Sequence, residues 1–322
     1  MSGGCSANSL FFPSLSIVLL RVPQGSTGMT DQPTFSFGRN WLEFLSSIDE
    51  ERIGLAAESL TSFLGMPSLK GKTFLDVGCG SGLFSLAAFH LGAEHIVSFD
   101  VDPFSVECCR HLHKVAGHPP HWEILAGSVL DESFLESLGY FDIVYSWGVL
   151  HHTGRMWNAL EYTARRVGAG GHLYLALYNK IVTRSGNVSW IHPFWLKVKS
   201  LYNHHPFVGE YIILPIALAA YLAIVLVQFK NPLKHIKNYR SARGMSWITD
   251  AKDWLGGLPY EFATVEEVFL FLKTRFPDFN LVNIKTTGGR GLNWYLFQRS
   301  GVPVLADHWL HATTAPQSRI DT

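Results

Sequence analysis

Cysteine and one-sided charge are both scarce in this chain. Four cysteines, Cys5, Cys79, Cys108 and Cys109, fall in 322 residues, with no C-x-x-C pair. That usage excludes a disulfide framework and leaves no zinc-type spacing, so no metal site is expected and the context reads as reducing and cytoplasmic. Lys plus Arg equals Asp plus Glu at 26 each. Without a basic excess there is no overall electrostatic footprint for nucleic acid. No Lys or Arg precedes the apolar stretch from Leu10 to Leu20, which is short for a membrane span. Residues 1–28, which precede a second methionine at Met29, are therefore expected to be an extension outside the fold rather than a targeting segment.

Glycine is abundant where it matters. Thr73 to Gly82 reads as a short apolar run, Phe74, Leu75 and Val77, ending in Gly78, Gly80 and Gly82, and an amphipathic stretch follows from Leu83. This is a buried strand, a tight turn and a helix start. Residues without a Cβ let a ligand lie against the backbone, and the helix start offers free N–H groups. The spacing is G-x-G-x-G rather than the G-x-G-x-x-G of dinucleotide sites. Asp76 just before the turn disfavours a pyrophosphate and suits an ammonium group. A second apolar run, Ile96, Val97 and Phe99, ends at Asp100, placed to accept hydrogen bonds from ribose hydroxyls. A nucleoside with a cationic amino-acid arm satisfies both carboxylates, and S-adenosylmethionine is such a molecule.

These residues resemble a known family. Asp76-Val-Gly-Cys-Gly-Ser-Gly82, Phe99-Asp100-Val-Asp-Pro103, Gly127 to Asp131, Phe141 to Gly154 and Gly170 to Asn179 resemble the motifs of class I S-adenosylmethionine-dependent methyltransferases. A Phe35–Trp41 segment and an Arg243–Glu261 segment resemble those of a bacterial small-molecule subgroup, of the methyltransferase type 11/12 kind. The resemblance implies an α/β fold: a Rossmann-like, seven-stranded, mostly parallel sheet whose last strand is antiparallel and inserted beside the fifth, with a helical insertion after strand 5. It implies S-adenosyl-L-methionine held by Asp76, Gly78, Gly80, Gly82, Asp100, Val101, Ser128, Val129 and Trp147. Ser128 stands where many relatives have an acid. His151 and His152, at the exit of the fourth strand, are the candidate catalytic residues, since a histidine can take a hydroxyl proton. Two adjacent histidines rarely point the same way, and His151 is favoured for the pocket. Tyr178, Arg243, Asp250, Asp253 and Glu261 are the candidate acceptor contacts. Ordinary ion pairs holding a lid together are the plainer reading of each.

The strands are expected at Thr73–Cys79, His95–Val101, Trp122–Ala126, Phe141–Trp147, His172–Tyr178, Phe279–Thr286 and Asn293–Arg299. Helices between them are expected to include Met156–Val167 and, later, Thr264–Phe276. The domains follow: a helical cap over 29–70, the cofactor-binding domain over 71–179 and 262–300, a helical insertion over 180–261 and a tail over 301–322. The insertion contains an uncharged apolar stretch, Tyr211 to Phe229, followed by Lys230, Lys234, Lys237, Arg240 and Arg243 with no acid among them. Strands following it must rejoin the same sheet, which rules out a single crossing of a membrane. A buried cap helix, a lid or dimer element, and a peripheral membrane-dipping element at the inner membrane all remain open for it. The function expected is methyl transfer to a small-molecule or lipid- or saccharide-linked acceptor, at oxygen, without nucleic acid. The alternatives are an inactive methyltransferase-fold scaffold at the membrane and an RNA methyltransferase.

Overall fold

The computed structural model describes residues 48–229, 231–236, 247–287, 289 and 291–301. The expectations for residues 1–28, for Phe35–Trp41, for 42–47, for the 302–322 tail and for Arg243 lie outside the described residues.

Short apolar runs become strands because both faces of the sheet are covered, so a strand needs no polar alternation. Phe74, Leu75 and Val77 of β1 (Thr73–Val77) are fully buried. The remaining strands are β2 (His95–Asp100), β3 (Trp122–Ala126), β4 (Phe141–Trp147), β5 (Val167–Tyr178), β6 (Phe279–Lys285) and β7 (Leu292–Arg299). They form one sheet in the order β3-β2-β1-β4-β5-β7-β6. β1 to β5 are mutually parallel, and β7 runs antiparallel between β5 and β6, as the family resemblance implies.

This order has a functional consequence. The chain builds outward from β1 to β3, then returns to the other side of β1 to place β4. The reversal point of such a sheet leaves a crevice at the carboxyl ends of the strands, where ligands bind. Here that crevice lies between the turn after β1 and the exit of β4.

Helices cover both faces. α1 (Glu50–Leu64) starts at Asp49, whose carboxylate accepts from the Arg52 N–H, and ends at Gly65 in the left-handed conformation. α2 (Leu83–His90), α3 (Pro103–Val115), α4 (Glu132–Ser137) and α5 (Met156–Ala164) follow β1 to β4 in turn. Asp102 and Asp131 cap α3 and α4 through the Phe104 and Phe134 N–H groups. The helix expected over Met156–Val167 stops at Ala164. The Phe141 N–H takes the Arg166 carbonyl, and Val167 pairs with Phe141, so these residues join the sheet and β5 begins five residues earlier than expected.

The insertion after β5 is helical: α6 (Ile191–His204), α7 (Pro206–Val227) and α8 (Trp247–Gly256). α7 starts five residues before the expected apolar stretch, and its Gly209–Ile213 turn is π-helical. Leu214 and Val225 are its buried apolar residues, and Ala217, Leu218, Tyr221 and Leu222 on the same stripe are half-buried. Val208 and Ile213 are half-buried as well, and most of the remaining apolar surface of the helix is exposed. The chain then returns through α9 (Val265–Arg275) to β6 and β7.

At the start of α9, Thr264 Oγ1 accepts from the Glu267 N–H at 3.1 Å, and the Glu267 carboxylate accepts from the Thr264 N–H at 2.9 Å. Thr264→Ala removes one half of this reciprocal cap. It is expected to lower stability by about 1 kcal/mol, read as a lower denaturant midpoint at unchanged slope.

Candidate active site

The turn after β1 is held by its neighbours before any ligand arrives. The Gly78 and Cys79 N–H groups both donate to the Phe99 carbonyl at 2.9 Å. Gly78 has φ +74°, and a Cβ there would lie 2.4 Å from Val149 Cγ1, so only glycine lets the turn pack onto the exit of β4. Gly82, at φ +81°, precedes α2, and a Cβ there would lie 2.9 Å from the Cα of Cys109 on α3. The absent side chains at 78 and 82 thus serve the protein's own close packing. Asp76, next to the turn, is buried. Its carboxylate accepts from Ser85 Oγ at 2.5 Å, Ser85 meets Ser98 Oγ at 2.7 Å, and Trp122 Nε1 donates to Ser98 at 2.8 Å. Burial, opposed by the Ser85 hydrogen bond, pushes the Asp76 carboxyl up to about 7. Asp76 therefore ties β1 to α2 from beneath.

Asp100 ends β2 and points back at the turn. Its carboxylate accepts the Gly80 N–H at 3.0 Å and the Asp102 N–H at 2.9 Å. Burial raises its pKa, and the backbone donors oppose that rise. A carboxylate has about four lone-pair positions, so acceptor capacity remains for ribose hydroxyls. Val101, the next residue, is 74% exposed, and Trp147 at the end of β4 is 38% exposed. Large apolar side chains left open beside a half-buried carboxylate fit the flat face of a nucleobase. Ser128 forms a local turn, with its Oγ accepting from the Leu130 N–H at 3.2 Å, while Val129 is buried in the core beneath. The residues present therefore fit S-adenosylmethionine: Asp100 for the ribose, Val101 and Ser128 for the base, and the Gly78–Gly82 turn for the amino-acid arm.

Beyond Trp147 the chain makes a tight turn, Leu150–His152, that carries both histidines. They face different partners. His152 Nδ1 donates to the Pro259 carbonyl at 2.7 Å. His151 is buried, and its Nδ1 has no hydrogen-bond partner among the described residues. Its ring packs 4.0 Å from the Tyr178 ring and 4.5 Å from the His152 ring. Burial lowers both pKa values, that of His152 to about 3 and that of His151 well below the usual imidazole range. Both rings are neutral near pH 7. One nitrogen of a neutral imidazole donates and the other accepts, so the unpartnered Nδ1 leaves hydrogen-bonding capacity unused.

The segment before α9 clamps this turn in place. The Glu261 N–H donates to the His151 carbonyl at 2.9 Å, and the Glu261 carboxylate accepts from the Met156 N–H at 3.0 Å. α5 has no capping side chain of its own, so Glu261 supplies one, with negative charge at the positive end of the helix. Asp250 and Asp253 lie on α8, within the insertion, and each interacts with at least one other group. Of the expected acceptor contacts, the structure brings Tyr178 and Glu261 to the histidine turn. It leaves Asp250 and Asp253 on the insertion's own helix.

Lys199 is a residue that sequence reasoning missed. It sits on α6, fully buried, and its ammonium donates to the Trp254 carbonyl. It lies 5.0 Å from each of the Trp254 and Tyr260 ring centroids. Burial lowers its pKa to about 7, and its charge helps hold both histidines neutral. The available signal was spacing: His192, Trp195, Lys199 and Tyr202 recur at three- and four-residue steps, the face that α6 turns inward. On the other side of Trp147, whose ring meets Trp294 edge-on at 6.1 Å, an open groove of about 480 Å³ runs between α1 and β6–β7, lined by Glu58, Ser59, Asn283 and Lys285 among others. That volume is in the range of small-molecule sites.

The buried histidine leaves a signature in stability. Unfolded, His152 binds a proton near pH 6.5; folded, it does so only near pH 3. Between these values the unfolded chain holds a proton that the folded chain does not, so this residue makes stability rise with pH. His152→Asn keeps a donor for the Pro259 carbonyl but cannot titrate. Its thermal midpoint, followed from about pH 3 to pH 6.5, is expected to rise less steeply than that of the wild type. Parallel curves would contradict the placement of His152.

Residues 75–175 match the methyltransferase domain family. A ribosomal protein L11 methyltransferase from Tolumonas auensis is 52% identical over 42 residues, 13% of this chain and 14% of that protein. A tRNA U34 carboxymethyltransferase from Shewanella piezotolerans is 35% identical over 109 residues, 33% of this chain and 32% of that protein. The chain thus spans at most about a third of the length of these curated relatives. Among solved structures, magnesium protoporphyrin IX methyltransferase from Synechocystis PCC 6803 with bound SAH aligns over 81% of this chain and 94% of that one, at 13% identity and a TM-score of 0.47. The glycine turn and the acid ending β2 both lie within the matched region, and residues 75–175 are a methyltransferase domain whose cofactor is S-adenosylmethionine.

Proposed function

We propose that this protein transfers a methyl group from S-adenosylmethionine to an oxygen of a small-molecule or lipid- or saccharide-linked acceptor. The observation that carries this reading is His151. It is a buried imidazole with an unpartnered Nδ1, two residues past the Val149 side chain that packs onto Gly78 of the cofactor turn. Among the described residues at this edge, Asp76 is engaged by Ser85, His152 by Pro259 and Glu261 by the start of α5.

When bound, S-adenosylmethionine supplies a methyl group already activated on a sulfonium, so what it asks of the protein is alignment and a dry site. Asp100 and the glycine turn fix the nucleoside end, and Trp147 closes the site beside the β4 exit. His151 accepts the hydroxyl proton of the acceptor at Nδ1 as the oxygen becomes nucleophilic. Tyr178 packs on the imidazole and fixes its plane, while the Glu261 N–H fixes its backbone. A positive imidazole would be costly in this buried setting on its own. Here its charge replaces the one lost at sulfur, so the total charge of the site is conserved. The matched stretches of the RNA- and ribosome-directed relatives are 109 and 42 residues long, 32% and 14% of those proteins.

Two substitutions separate the halves of the site. His151→Ala is expected to lower turnover about 10²–10⁴-fold, the usual range for a lost general base, with cofactor affinity retained in calorimetry. Asp100→Ala is expected to weaken cofactor binding roughly 10–100-fold, as loss of hydrogen bonds to a charged group implies. Near-normal turnover of His151→Ala would overturn the assignment of the base, and unchanged affinity of Asp100→Ala would overturn that of the cofactor site.

A further inference from the structure

α7 has a surface that no soluble helix would be expected to keep. It is 22 residues long with a mean hydropathy of 2.3 over its most apolar stretch, of which 11% is buried. At a rise of 1.5 Å per residue it is about 33 Å long. Its protein-facing side is one stripe that includes the buried Leu214 and Val225, with Leu214 packed in a cluster with Tyr202 and Leu255. Tyr211, Ile212, Ile216, Ile224, Leu226 and Val227 all face outward. Contiguous apolar patches of this extent mark a binding surface rather than ordinary exposure.

We infer that this face of α7 docks on an anionic lipid bilayer, entering one leaflet without crossing it. Three observations point to lipid. First, the helix is apolar around nearly its whole circumference, which an interface with a single protein groove does not require. Secondly, its two ends have the chemistry of a membrane boundary. Near the first, Phe207 and Tyr211 are exposed aromatics. Beyond the second, Phe229 and Leu233 are exposed, Lys234 beside them is exposed, and the sequence from Lys230 to Arg243 carries five cations and no acid. Such a run is attracted to anionic headgroups and would repel its own copy across a two-fold interface. Thirdly, β6 and β7 follow the insertion and pair with the same sheet that precedes it, so the helix must enter and leave on one side. The inference stands on the exposed helix and its flanking charge and does not depend on methyl transfer.

The test is co-sedimentation of the whole purified chain with vesicles of phosphatidylcholine alone and of phosphatidylcholine with phosphatidylglycerol. The expected result is binding to both, at least about five-fold tighter to the anionic vesicles at low salt, the factor one lysine near such a surface supplies, with that preference shrinking at high salt. Ile216→Asp with Ile224→Asp lies on the outward face, so it should abolish vesicle binding while leaving S-adenosylmethionine affinity, the measure of an intact fold, unchanged. Lys234→Glu should reduce the anionic preference alone. A wild type that ignores vesicles overturns the inference, and one that forms a dimer dissociated by the double substitution assigns the face to a second copy instead. Vesicle binding that survives the double substitution with its fold intact overturns the role of α7.

Discussion

The contact of Gly78 with Val149 is the constraint on which the rest of the site depends. β1 and β4 are neighbours because the sheet reverses direction there, but adjacency alone would leave a side chain's width between their exits. The missing Cβ at Gly78 removes that width and lets Val149 seat on the turn. The glycine turn proposed for the cofactor and the turn that carries His151 thereby become neighbours. Any larger residue at 78 must push the two apart, and near-attack geometry tolerates displacements of well under an ångström.

Around that contact the molecule is stiff on one side and polar on the other. Beneath the cofactor turn, Asp76, Ser85, Ser98 and Trp122 form a buried hydrogen-bonded chain linking β1, α2, β2 and β3. A satisfied network of this kind rigidifies a core, whereas a half-satisfied one would weaken it. On the acceptor side, His151, His152 and Lys199 are buried with too few charges of opposite sign to balance them, and burial pushes all three toward their neutral forms. Strongly shifted groups concentrated at one end of a sheet are characteristic of sites built for proton movement. The insertion joins the two sides, since its residues Pro259 and Glu261 brace the histidine turn while its α7 faces outward.

The cofactor half of this arrangement was legible in the sequence because its signals are local. A glycine turn following an apolar run and an acid ending the next run fix their own conformations, and β3 and β4 fall at the expected residues. The acceptor half is assembled from distant segments. Lys199 has no local motif to mark it, and packing against Trp254 and Tyr260 buries it. Glu261 reads as an acceptor contact, and only the fold reveals that α5 lacks a cap that it supplies. Val167 reads as the end of a helix because its helical neighbours are apolar at the right spacing, and the hydrogen bond from Phe141 to Arg166 draws it into the sheet instead. The apolar stretch of the insertion was plain from composition, but whether it was covered depended on contacts that composition does not hold.

The central claim is that the cofactor turn and the histidine turn form one site, with the reacting group directed at His151. The most direct measurement is a crystal structure of the protein with S-adenosylhomocysteine. The account predicts both ribose hydroxyls on the Asp100 carboxylate, the base against Val101, and the sulfur on the side of Trp147, within about 7 Å of His151 Nδ1, the span of a methyl, an acceptor oxygen and a hydrogen bond. A nucleoside bound away from Asp100, or a sulfur directed away from the exit of β4, would contradict it.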